Sequence, residues 1–212
     1  MASPIEKNNV LLEGTSPLTV KQKRLFKYFG PGSKIKPPFR ILNPQRIYVG
    51  DRTSIQEYCH INAFQDLTFL LNYIEDKYRK DFHREDYRYD PSIHIDRECQ
   101  VGRFFFVSCS NHITIHRNVL VSERVFIGDN NHSFGHKEVP IMQQPNRQGR
   151  PVEIGRGSWI GVGAVLLKGT TLGMNTVVGA NSVVEGTFPS RSVIGSERAK
   201  LLRRGGGSKQ EP

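Results

Sequence analysis

The sequence lacks the features of several classes of protein. It contains no run approaching the roughly 18 apolar residues that span a membrane, and no basic start followed by an apolar stretch that would resemble a signal peptide. We therefore expect a cytoplasmic protein. Its three cysteines, Cys59, Cys99 and Cys109, show no Cys-x-x-Cys spacing. This pattern argues against disulfides or a zinc site and favours reduced cysteines packed in a core.

Acidic residues are also scarce relative to basic ones. The chain has 20 Asp and Glu against 30 Lys and Arg, a formal net charge of +10. Most of the excess lies in residues 1–45 and 197–212, so the middle of the chain is near neutral. Basic ends can attract nucleic acid, anionic membranes or phosphorylated cofactors. Because no stacking-aromatic motif or zinc-finger spacing accompanies them, we expect no nucleic-acid partner.

A six-residue period dominates the second half of the chain. The length, 212 residues and 24.1 kDa, suits one domain. A period of six fits neither a 3.6-residue helix nor the alternation of a hairpin sheet. It predicts a triangular solenoid in which three hexads make one coil, each strand points one aliphatic side chain inward, and the corners hold small or positive-φ residues. The aliphatic positions are Ile154, Ile160, Leu166, Leu172, Val178 and Val184, and the small residues after them are Ser158, Ala164, Thr170, Thr176 and Ser182.

The period divides the chain into segments. It recurs upstream but is absent from residues 66–92, which we interpret as a charged inserted loop or helical excursion, and from residues 133–150, a second excursion. We therefore predict an N-terminal basic helical segment over 1–40, a solenoid domain over 41–195, and a short basic helix with a disordered tail over 196–212. The upstream positions of the period are Val49, Ile55, Ile61, Ile95, Val101, Val107, Ile115, Val121 and Ile127.

The N-terminal segment is predicted to contain a helix of about residues 17–29. Apolar and basic residues alternate along it, so it is amphipathic. Such a helix either packs against its own domain or makes a peripheral contact with a membrane surface.

Three stretches relate the chain to a known family: Ile127-Gly-Asp-Asn-Asn-His132, Pro151-Val-Glu-Ile-Gly-Arg-Gly-Ser-Trp-Ile-Gly161, and the repeats that follow. They resemble the hexapeptide-repeat acyltransferases, most of all the sugar, polysaccharide and xenobiotic O-acetyltransferases. The resemblance implies an all-β left-handed parallel β-helix with acetyl-CoA as acyl donor. It also implies a homotrimer whose active sites form between neighbouring subunits, and the apolar faces of a single coil stack independently favour self-association.

His132 is the predicted general base. Transfer of an acyl group to a hydroxyl requires removal of the hydroxyl proton, and imidazole is the usual group for this near neutral pH. In the family a catalytic histidine lies where the chain leaves the coil, and Asp129-Asn-Asn-His132 matches its Asn-His pattern. His136, four residues later, is the alternative base. For His112 and His116 we expect solvated packing.

The resemblance also implies a donor site along the later coils. Trp159 either walls the thioester near His132 or caps a corner. Gly161 or a neighbour is a candidate oxyanion donor through its backbone amide. Glu185-Gly186 stand where family members often carry Thr-Lys, and an acidic residue there does not favour a phosphate contact. The pantetheine path would follow Trp159, Gly161, Gly179 and Ala180, with Lys168, Lys200 and Arg203 as candidate contacts for the phosphates and nucleotide.

Several functions remain open at this point. A carbohydrate hydroxyl, as in a polysaccharide or glycan precursor, is the favoured acceptor; an antibiotic alcohol or an amino sugar, which would be N-acylated, are alternatives. A non-catalytic solenoid scaffold is a rival from another class. A metal-dependent hydratase related to the γ-carbonic anhydrases is a second, although the histidines lack that group's spacing, so we expect no metal.

Overall fold

The chain winds through three sheets that form the faces of a triangular prism. The structure, a computed structural model, describes residues 9–197. Within that range each sheet contains seven strands. All neighbouring strands are parallel except the first strand of sheet 1, which runs antiparallel to the second.

The strands of each sheet follow the axis of the prism. Sheet 1 comprises Leu11–Gly14, Phe39–Leu42, Cys59–Ala63, Phe106–Cys109, Phe126–Gly128, Val165–Leu166 and Val183–Val184. Sheet 2 comprises Tyr28–Phe29, Ile47–Val49, Ser92–Ile95, His112–Ile115, Val152–Ile154, Thr171–Leu172 and Thr187–Phe188. Sheet 3 comprises Lys34–Ile35, Ser54–Ile55, Gln100–Val101, Leu120–Val121, Trp159–Ile160, Val177–Val178 and Val193–Ile194. A separate two-stranded hairpin pairs Asn130–His132 with Asn146–Gln148.

The hexapeptide period produces this architecture as predicted. Ile154, Ile160 and Leu166 begin successive hexads and point inward from sheets 2, 3 and 1 in turn. One coil later they meet Leu172, Val178 and Val184 in parallel register. All six side chains are at most 2% exposed, so three hexads complete one coil. The fold is therefore the left-handed parallel β-helix expected from the sequence.

Corner residues allow the chain to turn between sheets. Asn175 and Asn181 have φ of 54° and 55°, and Gly157 and Gly163 have φ of 71° and 69°. At Gly157 the positive φ favours glycine, and a Cβ atom there would lie 2.2 Å from Asn175 Oδ1, so a larger residue would require that side chain to move.

Two excursions leave the prism at the same corner, between sheet 1 and sheet 2. The first lies between Cys59–Ala63 and Ser92–Ile95 and contains the four-residue helix Asp76–Arg79 and 3₁₀ turns at Thr68–Tyr73 and Arg84–Tyr87. The second lies between Phe126–Gly128 and Val152–Ile154 and contains the hairpin and a 3₁₀ turn at Ile141–Gln143. Both correspond to segments where the period is absent.

The excursions share a small hydrophobic core of their own. Ile74 and Tyr87 from the first excursion are buried with Val139 from the second. Partly buried side chains surround them: Leu67, Leu70, Leu71, Tyr78 and Phe82. The first excursion is therefore a support on which the second one rests.

The N-terminal helix is much shorter than predicted. It spans only Val20–Lys23, with Thr19 forming a capping box with Gln22, and a further 3₁₀ turn covers Pro44–Arg46. The chain then enters sheet 2 at Tyr28–Phe29 and sheet 3 at Lys34–Ile35, so the β-helix begins before residue 41. Tertiary packing overrides the amphipathic pattern because Leu18 and Phe26 are buried in the main core. None of the described helices could span a membrane.

Substitution of an inward hexad residue should destabilise the whole prism. We expect Leu166→Ala to lower the free energy of unfolding by about 2–5 kcal/mol, because it removes buried apolar surface and leaves a cavity between coils. Denaturant unfolding of the variant measures this loss. Val20→Ala is the matched control, since Val20 is 67% exposed and its truncation should change stability by less than about 0.5 kcal/mol. Equal losses in the two variants would contradict this account of the core.

Candidate active site

His132 lies on an exposed hairpin that projects from the prism. It ends the strand Asn130–His132 and is paired in register with Asn146 on the opposite strand. The imidazole is exposed and makes no hydrogen bond to any other residue within 9–197. A histidine held by its backbone with both ring nitrogens available is suited to accept a proton from an incoming substrate.

Asp129 anchors the base of the hairpin. Its carboxylate is fully buried and accepts hydrogen bonds from the backbone amides of Ser110, at 2.7 Å, and Asn111, at 2.9 Å. The Cys109 thiol also points at it, with Sγ 3.2 Å from Oδ2. Burial, and then the Asp129 charge, raise the pKa of Cys109. Asp129 therefore fixes the point at which the chain leaves the coil, because its carboxylate is bonded to backbone amides of that corner.

Two tyrosines from the first excursion hold the second one in place. The Tyr87 phenol donates to the Gln143 carbonyl at 3.1 Å, and the Tyr89 phenol shares its one proton between the carbonyls of Asn146 and Asp86, both at 2.9 Å. Burial raises the pKa of Tyr87 to about 12 and also raises that of Tyr89, so both phenols stay protonated donors near neutral pH. Because Asn146 is paired with His132, Tyr89 positions the hairpin directly behind the candidate base.

His136, the alternative base, is committed to packing. Its Nδ1 accepts a hydrogen bond from the Val139 amide at 3.2 Å, and its Nε2 lies 3.2 Å from Asp81 Oδ2. The ring also packs against Tyr78 and Phe82. With both nitrogens occupied, His136 links the two excursions and has no free nitrogen for a substrate.

The residues expected along the pantetheine path lie together on sheet 3 and its following corner. Trp159 is 49% exposed, and its Nε1 donates to Ser122 Oγ at 3.0 Å. Gly161 stacks on the corner that contains Gly179 and Ala180; a Cβ atom on it would lie 2.7 Å from the Ala180 nitrogen.

The Gly161 amide itself is not available as an oxyanion donor. It donates to the Val178 carbonyl at 2.8 Å as part of the coil ladder. The amides of Val162 and Ala180, by contrast, make no hydrogen bond within the described part of the chain. These two free amides lie at the corner beside Gly161. The geometry therefore favours a neighbour of Gly161, and not Gly161 itself, as the oxyanion donor.

Lys168 lies apart from the other predicted donor residues. It occupies the corner between sheets 1 and 2, with Nζ 3.8 Å from Glu185 Oε1. When the Asn131 amide is oriented to satisfy its neighbours, its oxygen accepts from Lys168 Nζ at 3.0 Å. Lys168 is therefore next to the His132 hairpin. Lys200, Arg203 and the short helix and tail predicted over 196–212 lie outside the described residues, apart from Ser196 and Glu197.

Within one chain the structure does not bring His132 and Trp159 together. His132 projects from the corner between sheets 1 and 2, and Trp159 faces outward from sheet 3, the face opposite that corner. One chain therefore places His132 and Trp159 on different sides of the prism, and we refer to these two places as the half-sites.

A second histidine lines a cleft that the sequence analysis did not single out. His116 Nε2 lies 2.8 Å from Glu153 Oε1, and both border a cavity of about 420 Å³ where sheet 2 turns into sheet 3. The two residues are 37 positions apart, so only the register of the coils brings them together. His112 is exposed, as expected for a solvated residue. Across residues 9–197 no cluster of three or more potential metal ligands is present.

Comparisons with known proteins agree with this fold. Residues 151–186 match the family described as bacterial transferase hexapeptide (six repeats). No curated protein matches the chain. Together with the observed coils, the match confirms the identification as a hexapeptide-repeat β-helix.

Solved structures of acyltransferases have the same architecture. One is AntD, an N-acyltransferase from Bacillus cereus, in complex with dTDP and 3-hydroxybutyryl-CoA; it is 14% identical, with a TM-score of 0.62 over 83% of this chain and 81% of that one. Another is the hexapeptide-repeat acetyltransferase VCA0836 from Vibrio cholerae O1 biovar eltor, complexed with acetyl-CoA. It is 22% identical, with a TM-score of 0.51 over 85% of this chain and 72% of that one. At these identities the likeness establishes the fold.

Removal of the Tyr89 hydroxyl should loosen the His132 hairpin. A buried hydrogen bond contributes about 0.5–1.5 kcal/mol, so we expect Tyr89→Phe to speed amide exchange of residues 130–132 and 146–148 by roughly threefold to tenfold. Hydrogen–deuterium exchange resolved to peptides measures it. Tyr28→Phe is the control, because its phenol donates to Asp51 at 2.7 Å near the other end of the prism. Unchanged hairpin exchange in Tyr89→Phe would show that this bond does not position His132.

Proposed function

We propose that the protein is an acyl-CoA-dependent acyltransferase with His132 as general base. The observation that supports it most is the exposed, unpartnered imidazole on a hairpin that Asp129, Tyr87 and Tyr89 hold rigidly. Preorganisation of this kind is what general-base catalysis requires. The bound acyl-CoA, CoA or acetyl-CoA in the similar structures supports a thioester donor.

The proposed reaction is a direct transfer. The acceptor hydroxyl donates its proton to His132 while its oxygen attacks the acyl carbonyl, and a corner amide such as that of Val162 stabilises the tetrahedral oxyanion. The carbon–sulfur bond then breaks, and His132 returns the proton to the departing thiolate.

A covalent cysteine intermediate is not part of this mechanism. Burial raises the pKa of Cys59 to about 12 and that of Cys99 to about 11. Cys109 is buried as well, and its pKa is also raised. Thiols of this kind do not form the thiolate that nucleophilic catalysis needs.

The two half-sites favour assembly as a homotrimer. On one subunit the pantetheine arm would lie along Trp159, Gly161, Gly179 and Ala180. His132 of the next subunit would complete the site. Outward side chains of sheet 3 offer apolar surface for such a contact, since Leu120 is 48% exposed and Val193 is 82% exposed. Lys168, beside His132, would then lie on the acceptor side, while Lys200 and Arg203 remain candidates for the nucleotide end of the donor.

A sugar is the proposed acceptor class. We favour a carbohydrate hydroxyl on a polysaccharide or glycan precursor. N-acylation of an amino sugar is supported equally, because an AntD variant with a TM-score of 0.65 and 13% identity was solved with dTDP-4-amino-4,6-dideoxyglucose and coenzyme A. The same histidine would serve an amine. An antibiotic alcohol is the remaining alternative.

Loss of the imidazole at position 132 should abolish most transfer. We expect His132→Ala to lower kcat by about 10²- to 10⁴-fold, because a positioned general base contributes that factor. Release of free CoA thiol from acetyl-CoA, with pooled sugars, amino sugars and alcohol antibiotics, measures it. His112→Ala, an exposed histidine on sheet 2, is the matched control and should keep full activity. Activity that survives His132→Ala would remove His132 from this role.

If His132→Ala changes no measured property and acetyl-CoA does not raise the melting temperature of the protein, the non-catalytic solenoid scaffold is favoured instead. Elemental analysis of purified protein tests the metal-dependent hydratase.

Mixed trimers should test whether the site is shared. His132→Ala and Trp159→Ala are each expected to be poorly active alone. After the two are unfolded and refolded together, about one quarter of the interfaces in a random trimer would pair an intact His132 with an intact Trp159. Activity should therefore recover, and sedimentation should give three times the 24.1 kDa chain mass. If a folded mixed trimer recovers no activity, then either His132 and Trp159 act within the same subunit or they do not belong to the active site.

A further inference from the structure

The cleft beside His116 is floored by two glycines. Gly155 and Gly173 occupy, in their coils, the position that Asp96 and His116 hold in the two preceding coils. Because the glycines lack side chains, a trough opens at the corner between sheets 2 and 3. The resulting cavity of about 420 Å³ falls in the range of small-molecule sites.

Three arginines form a row at the corner between sheets 2 and 3, and two of them, Arg117 and Arg156, border this cleft. Arg97, Arg117 and Arg156 take the next position in three successive coils, as the backbone bonds from Asn118 to Arg97 and from Gly157 to Arg117, both 3.1 Å, show. Successive coils are about 4.8 Å apart, so the three side chains leave the corner as close neighbours. We call this set the arginine row.

The positive charges of the arginine row are not balanced by ion pairs within the described part of the chain. None of its members forms an ion pair with a carboxylate in the range 9–197. Among the described residues the one side-chain hydrogen bond of Arg156 runs from Nε to Met174 Sδ at 2.9 Å, so its terminal nitrogens have no partner there. Like charges held this close repel one another. A bound anion would relieve that repulsion, and guanidinium groups bind phosphate with two parallel hydrogen bonds.

The cleft next to the row offers the opposite chemistry. Glu153 and Asp96 present carboxylates, with Glu153 oriented by His116. Carboxylates accept hydrogen bonds from the hydroxyls of a ribose or another sugar. Leu172 and Met174 add apolar surface to the same lining. Phosphate-binding and hydroxyl-binding groups thus lie side by side.

We propose that this corner binds the diphosphate and the sugar of a nucleotide, with the phosphates on Arg117 and Arg156 and the hydroxyls at Glu153. Two ligands share that chemistry: the nucleotide end of coenzyme A and a nucleoside diphosphate linked to an acceptor sugar. The inference concerns binding, so it stands whether or not the protein transfers an acyl group.

Calorimetric titration of the full chain tests the proposal with four probes: CoA, dTDP, UDP and inorganic pyrophosphate. The double variant Arg117→Gln/Arg156→Gln should raise the Kd of every probe that binds by at least about tenfold, because each charged hydrogen bond to phosphate is lost. Lys21→Gln/Arg24→Gln removes the same two charges from exposed positions near the N-terminus and should leave Kd unchanged. Unfolding curves of both variants verify that they fold.

The single variant Glu153→Gln separates the two parts of the site. It should weaken the nucleotides and leave pyrophosphate unaffected, because pyrophosphate has no hydroxyl for the cleft to bind. Weakening of CoA alone by the double arginine variant identifies the donor as the ligand, and weakening of dTDP or UDP alone identifies the acceptor. Equal losses in the two double variants, or no binding of any probe to the wild type, would overturn the proposal.

The same experiment keeps this proposal apart from the transfer reaction. His132→Ala should retain nucleotide binding, since it leaves the corner between sheets 2 and 3 intact. Nucleotide binding that depends on the arginines, in a protein without transferase activity, would overturn the proposed function and leave this site standing.

Discussion

Each inward aliphatic side chain of the hexapeptide period lies on its equivalent one coil away, and the rest of the structure depends on this stacking. Ile160 on Val178 and Leu166 on Val184 are examples that recur in all three sheets. Because the register repeats without drift, every other position in a coil also falls into a column. Columns of small residues make the corners, and columns of outward residues make functional surfaces.

Both excursions leave the prism at the corner between sheets 1 and 2, where this repetition is interrupted. A single strand pair cannot hold a catalytic group rigidly, because an isolated hairpin is marginally stable in water. Here the first excursion supplies a second hydrophobic core, two phenol donors and the His136–Asp81 contact, while Asp129 fixes the point of departure. Much of the charged insertion therefore serves to stiffen the His132 hairpin.

The sequence predicts those features that repeat and misses those that depend on contacts between columns. Ile154 to Val184 define the coils because each follows the same local rule. The helix over 17–29 is predicted too long because Phe26 is buried by coils distant in sequence. Lys168 lies at a different corner from the other predicted donor residues, which the sequence does not reveal because sequence distance does not show which corner a residue occupies. The His116–Glu153 pair and the Tyr89–Asn146 bond join residues 37 and 57 positions apart, and no local pattern marks them.

The reversed first strand has a consequence for how the solenoid ends. A stack of parallel coils offers an open edge on which further strands, including those of other molecules, can add. Leu11–Gly14 runs antiparallel on sheet 1, and Leu18 and Phe26 fill the core beneath it. On sheet 1 the next coil of another chain would meet a strand of the wrong direction, over a closed hydrophobic interior. The N-terminal segment thereby limits fibrous end-to-end growth, a hazard inherent in any fold built by repetition.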